Sequence, residues 1–147
     1  MSIFKSLNVS ATGLTAERLR MDVISKNIAN ANTTRTLAGT PYRRQMAVFK
    51  EQGPENNFAS ILAKAKGEKL IGNGVEVSEI VEDQSDFKRV YNPGHPDADD
   101  EGYVLMPNVD VVTEMINMMS ASRSYEANVT ALNTSKSMAM KALEIGR

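Results

Sequence analysis

A heptad-spaced run at the end of the chain limits its fold more than any other feature. Val111, Met115, Met118, Ser122, Tyr125, Val129, Leu132, Lys136, Ala139 and Leu143 follow one another at alternating steps of four and three. This averages about 3.5 residues, the period of a helix packed lengthwise against another helix. A second run of the same spacing begins the chain, at Ile3, Leu7, Ser10, Leu14, Glu17, Met21, Ile24 and Ile28. Each run is the expected partner of the other. Ile3, Leu7, Leu14, Met21, Ile24, Ile28, Met115, Met118, Tyr125, Val129, Leu132 and Leu143 are the expected seam and assembly residues.

Local signals place the ends of these helices. The first should run from about Ser2 to about Ala31, where Asn30, Asn32, Thr33 and Thr34 compete for backbone hydrogen bonds and end it. Gly13 is its one internal breaker and implies a close backbone approach at that level. The second should begin at an N-cap supplied by Asn108 or Asp110, after Pro107, and stop at Gly146.

Between the helices the periodicity changes to alternation. Thr40–Lys50, Val75–Val81, Phe87–Tyr91 and Tyr103–Met106 read as short strands. Asn73-Gly74 reads as a tight turn, and Phe58–Lys66 as a short helix in a variable connection, 51–73. The expected fold is α+β, a long antiparallel pair of terminal helices with a small β-rich middle domain. Residues 1–36 and 108–147 would form a discontinuous helical assembly domain, and 37–107 an outer domain.

Apolar residues also lie off the seam, at Phe4, Ala11, Val23, Val112, Ile116, Met119 and Met140. A stripe this wide needs more neighbours than one helix, which marks an interaction surface. The nine methionines suit a surface that packs in several environments.

Charge is divided along the chain. Residues 1–50 carry eight basic and two acidic side chains, net +6; residues 51–110 carry five and thirteen, net −8; residues 111–147 carry four and three, net +1. These are solvated faces of opposite sign, or complementary surfaces that meet between copies or with other subunits. Nucleic acid fits poorly, because the basic residues form no dense run and have no clustered aromatics among them. No apolar stretch approaches the roughly 20 residues of a membrane span, and the N-terminus lacks the pattern of a cleaved secretory signal.

Reactive chemistry is hard to find. With no cysteine, thiol catalysis and thiolate zinc sites are excluded, and His95, the single histidine, sits between Gly94 and Pro96 far from any nucleophile pattern. Asp97, Asp99, Glu101 and Gly102 fall at positions 1, 3, 5 and 6 of a calcium loop, but position 12 holds Asn108 where a bidentate glutamate is required. The 92–102 loop therefore reads as a solvated acidic turn, with a calcium-binding module as the alternative. No catalytic residue, metal ligand or cofactor site is expected.

Several segments carry a resemblance. Asn27-Ile28-Ala29-Asn30 and Tyr125-Glu126-Ala127-Asn128 are the broadest; Pro41-Tyr42-Arg43-Arg44, His95-Pro96-Asp97-Ala98, Gly102-Tyr103-Val104 and Pro107-Asn108-Val109 are narrower. With these, the whole chain except 51–73 resembles the flagellar rod and axial proteins, and within them a subunit of the proximal rod. The resemblance implies a non-enzymatic subunit of the flagellar basal body, exported by the flagellar type III system without a cleaved signal. Its terminal helices would pack in the inner layer of a helical rod, and its partners would be copies of itself, other rod proteins and the export apparatus at the base. Another axial subunit is the alternative within the same family.

Overall fold

The computed structural model describes residues 3–53, 62, 65–66 and 74–145. Helix α1 spans Ile3–Ala29 and helix α2 Val111–Ile145. Between them come β1 (Gln45–Glu51), β2 (Val75–Glu82), β3 (Lys88–Tyr91) and β4 (Tyr103–Met106). The order is helix, short strands, helix, the expected α+β architecture. The proposed short helix 58–66 and the Asn73 half of the proposed turn fall largely outside the described residues.

The strands form two ribbons. β3 and β4 pair antiparallel, Lys88 with Met106 through Tyr91 with Tyr103. β1 pairs with β2; Gln52 N–H donates to the Gly74 carbonyl at one end and Asp83 N–H to the Arg44 carbonyl at the other, so this pair is antiparallel too. β1 starts at Gln45 instead of Thr40. The backbone before it is claimed by side chains and turn bonds, with Tyr42 N–H donating to the Thr33 carbonyl and Arg44 N–H to Asn108.

Helix ends follow the local chemistry. Asp110 caps α2: its Oδ1 accepts from Val112 N–H at 3.1 Å and its Oδ2 from the Thr113 hydroxyl at 2.8 Å. Asn108, the other N-cap candidate, is used elsewhere. α1 ends in a turn closed by Asn30 N–H and Asn30 Nδ2 on the Lys26 carbonyl.

By contacts the chain divides into two compact units. The first comprises Met1–Arg18, Phe49–Ser78 and Ser122–Arg147. Within it Gly13 faces Asn128, and a Cβ added at Gly13 would lie 3.1 Å from Asn128 Nδ2, the close approach expected of a glycine in mid-helix. Gly74, with φ +132°, lies against Thr12, whose hydroxyl accepts from Val75 N–H at 3.2 Å. Ala16 is its buried apolar residue among those described.

The second unit comprises Leu19–Val48 and Glu79–Ala121 and holds most of the buried apolar residues among those described. Val23, Ile24, Val104, Val109 and Ala121 are buried in it, as are Pro41 and Pro107. Val23, read from the sequence as lying off the seam, is enclosed within this unit beside Ile24. A fully buried Val or Ile contributes only about 1.5–3 kcal/mol. So small an apolar core places weight on the polar groups buried beside it.

Candidate functional site

Glu114 lies in the first turn of α2, where a carboxylate suits the helix dipole. It is nonetheless 0% exposed, as is Asn27 of α1. A buried carboxylate is tolerated only when its lone pairs are satisfied. Oε1 accepts from Arg44 Nε at 2.9 Å and Nη2 at 2.8 Å, with Asn117 Nδ2 further off at 3.4 Å. Oε2 accepts from Asn27 Nδ2 at 2.9 Å.

The Asn27 amide is saturated. Nδ2 also donates to the Gln45 carbonyl at 2.8 Å, while Oδ1 accepts from Gln45 N–H at 2.9 Å and from the Tyr42 hydroxyl at 3.0 Å. Two donors and two acceptor sites are all an amide has. One side chain thereby joins α1, the start of β1 and α2.

Arg44 extends the network outward. Its side chain is 22% exposed, and Nη1 reaches Met46 Sδ at 3.0 Å and Asp83 Oδ2 at 3.5 Å. Asn108 completes the cluster. Its Oδ1 accepts from Arg44 N–H at 2.8 Å, and its Nδ2 donates to the Asp83 carbonyl at 3.0 Å and the Ser85 hydroxyl at 2.9 Å. Arg43 also donates to the Asp83 carbonyl, at 3.1 Å, with its guanidinium 4.4 Å from the centre of the Phe87 ring. Part of the basic surplus of the first third is thus matched inside the chain.

Among the described residues the surroundings of Tyr42, Asp83 and Asp110 shift their proton affinities. Burial raises the Tyr42 phenol, helped by the negative charges of Glu82 and Glu114. Hydrogen bonds from Ser85 and the nearby Arg44 lower Asp83, and capping bonds from Thr113 and Val112 lower Asp110. A depressed carboxylate contributes stability that is present above its unfolded pKa, about 4, and is lost as pH falls through the folded value. A raised phenol contributes below about pH 10 and loses its contribution as pH rises through the folded value. The melting temperature of the subunit is therefore expected to fall below about pH 4 and again above about pH 10. Asn at 83 and 110 should flatten the acid limb, and an unchanged limb in that double variant would contradict the assignment.

The acidic loop uses its carboxylates locally. Asp97 Oδ2 accepts from the Thr34 hydroxyl at 2.8 Å, and Oδ1 lies 3.8 Å from Arg35. Asp99 Oδ1 accepts from the N–H groups of Glu101 and Tyr103, while Arg89 lies 3.5 Å from both Asp99 and Glu101. His95 Nδ1 accepts from Asp97 N–H at 3.1 Å. Among the described residues no group of three His, Cys, Asp or Glu could hold a metal ion.

The seam residues are distributed as follows. On α1, Ile24 is buried and Leu7, Leu14, Met21 and Ile28 are partly covered; the side chain of Ile3 lies outside the described part. On α2, Met118, Tyr125, Val129 and Leu132 are partly covered, whereas Met115 and Leu143 are exposed. The least exposed stripe of α2 steps through Glu114, Met118, Ala121, Tyr125, Asn128, Leu132, Ser135 and Ala139. It shares Met118, Tyr125, Leu132 and Ala139 with the apolar heptad. Val112 and Ile116 remain 65% and 59% exposed. In the two family motifs, Asn27 is buried and Ile28 and Asn30 partly covered, while Ala29, Glu126 and Ala127 are exposed and Asn128 faces Gly13.

Sequence reasoning missed the roles of Glu114, Arg44 and Asn108. The available signal was positional: Glu114 stands four and seven residues before Met118 and Ala121, and so shares their face.

Terminal helices frame a small β middle, a buried polar junction ties them to it, and the class of protein follows from sequence similarity over both helical segments. Residues 7–35 match the family "Flagella basal body rod protein", and residues 100–145 match "Flagellar basal body rod FlgEFG protein C-terminal". The first segment contains Asn27, the second Asn108, Glu114 and Asn128. The chain is similar to the flagellar basal-body rod protein FlgC of Bacillus subtilis (strain 168), 54% identical over 152 residues and covering 100% of both chains. It is 49% identical over 149 residues to that of Borreliella burgdorferi, covering 99% of this chain and 98% of the relative. It is 44% identical over 147 residues to that of Escherichia coli O6:H1, again covering 100% of both. The chain belongs to the FlgC family of flagellar basal-body rod proteins.

Proposed function

We propose that the chain is a structural subunit of the proximal rod of the bacterial flagellar basal body. It polymerises helically with copies of itself and with other rod proteins, and it transmits torque without turning over a substrate. The observation that carries this reading is the apolar face of α2, where Val112, Met115, Ile116 and Met119 stand exposed on a helix held by the Glu114 network. An exposed apolar face of this kind requires a partner.

In this reading residues 1–36 and 108–147 form the inner assembly domain and 37–107 the outer one, and the seam residues are assembly residues. Helical polymers grow through head-to-tail contacts between two different faces of each subunit, for which the charge division between the first third and the middle is suited. The subunit works in the rod, outside the cytoplasmic membrane, and arrives through the flagellar type III system without a cleaved signal. Among the described residues no helix is long and apolar enough to cross a membrane, which is compatible with that route.

Locating a tagged copy in purified basal bodies tests the proposal. The tag belongs at the proximal rod; a tag at another level of the axis would assign the chain to a different axial subunit. Leu14→Asp and Leu132→Asp place a charge among partly covered apolar residues and are each expected to abolish swimming and rod assembly. Normal motility in either variant would remove that position from the assembly surface.

A further inference from the structure

His95 is the single histidine of the chain, and imidazole is the side-chain type that takes up a proton between about pH 5 and 8. Its side chain is 31% exposed, so a proton from solvent reaches the ring without unfolding. Nδ1 accepts from Asp97 N–H at 3.1 Å, a bond that only an unprotonated nitrogen can make. The same Nδ1 stands 4.0 Å from Asp97 Oδ2, too far for a hydrogen bond. Asp97 is committed instead to the segment behind α1: Oδ2 accepts from the Thr34 hydroxyl at 2.8 Å, and Oδ1 lies 3.8 Å from Arg35. These two ties span a cleft of about 320 Å³, lined by Thr34, Arg35 and Pro41 of that segment and by Pro96, Asp97 and Asp99 of the loop.

We propose that His95 is a proton-operated latch on this cleft: protonation transfers the Asp97 carboxylate from Arg35 and Thr34 to the imidazolium of its own loop. A proton on Nδ1 removes the acceptor of Asp97 N–H and sets a charged donor beside Oδ2. Closing the 4.0 Å gap to the roughly 2.8 Å of a charge-assisted bond turns the carboxylate toward the ring. The tie to Arg35 yields first, because that guanidinium is 72% exposed and exposed ion pairs hold weakly. The imidazolium also brings a second positive charge to the carboxylate that Arg35 shares, and the two cations repel. The charged groups that bear on the ring are thus Asp97 on its own loop and, across the cleft, Arg35. Of the other acids in the loop, Asp99 and Glu101 are engaged by Arg89 of β3, and Asp100 is exposed. Nothing in this exchange depends on assembly into a rod.

Nitrogen-15 NMR of the full-length chain, titrated from about pH 8 to about pH 5, tests the latch. At the alkaline end the ring proton is expected on Nε2, with Nδ1 showing the shift of a hydrogen-bond acceptor; a proton on Nδ1 there would overturn the assignment. On acidification the Asp97 amide proton should move upfield as it loses its acceptor, and the Thr34 amide and Arg35 Nε–H should follow with the same midpoint as the ring. Movement confined to His95 and Asp97, with Thr34 and Arg35 still, would overturn the transfer across the cleft. His95→Asn supplies the control, since an asparagine oxygen accepts from the amide two residues on without titrating. In that variant the Asp97, Thr34 and Arg35 resonances should hold their alkaline positions across the range. A response like the parent's would place the switch in another group and overturn the role of His95.

Discussion

Asn27→Ala is expected to lower the stability of the subunit by about 3–5 kcal/mol, because it strands a buried carboxylate oxygen together with the backbone of Gln45 and the Tyr42 hydroxyl. In a thermal melt the midpoint should drop by about 10 °C or more. The loss is a matter of unsatisfied partners, so the chemistry of the replacement decides its size. Asn27→Asp keeps the shape, yet it removes both donors and sets a second negative charge against Glu114. It should be at least as damaging as alanine at neutral pH and milder in acid. Combining Asn27→Ala with Glu114→Gln should cost less than the two single losses added together, since the two share one hydrogen bond. A melt within a degree or two of the parent would show that water replaces the amide and that the network does not hold the helices.

Ile116→Asp is expected to do the opposite, leaving the subunit's own melt within about 0.5 kcal/mol of the parent while stopping swimming. The side chain is 59% exposed, so the charge stays hydrated in the free chain. Burial against a neighbour would remove that water, and an unpaired charge in an apolar contact is strongly disfavoured. Cells carrying the variant should accumulate subunit without rods, seen by electron microscopy of basal bodies. Swimming at the parental rate would show that this face does not dock in the rod. Paired with Asn27→Ala, the variant separates failure to fold from failure to assemble.

Much of the fold was legible because it depends on local rules. The 3.5-residue spacing marked both helices, Asp110 was one of two cap candidates, β4 was found to the residue, and Gly13 announced its close neighbour. Each of these signals lies within a few residues of what it governs. The polar cluster was harder to see because its partners are distant in the chain: Asn27 and Gln45 are 18 apart, Arg44 and Glu114 70, Asn27 and Glu114 87. A glutamate in a first helical turn usually faces water, and an arginine in a basic stretch reads as surface. Neither type reveals burial by itself, and only their joint placement shows that each satisfies the other. Val23 teaches the related point for apolar residues, since a strict heptad leaves out side chains adjacent to the seam that a crowded junction encloses.

The Asn27 amide has one more effect. By taking both the N–H and the carbonyl of Gln45, it stands where the peptide group of an additional strand would stand. The first residue of β1 therefore offers nothing on that side to an incoming extended chain. Open strand edges invite pairing with any unfolded neighbour at high local concentration. A helix side chain seals this one, so that subunits crowded together before assembly are steered away from fibrous aggregation at that point of the ribbon.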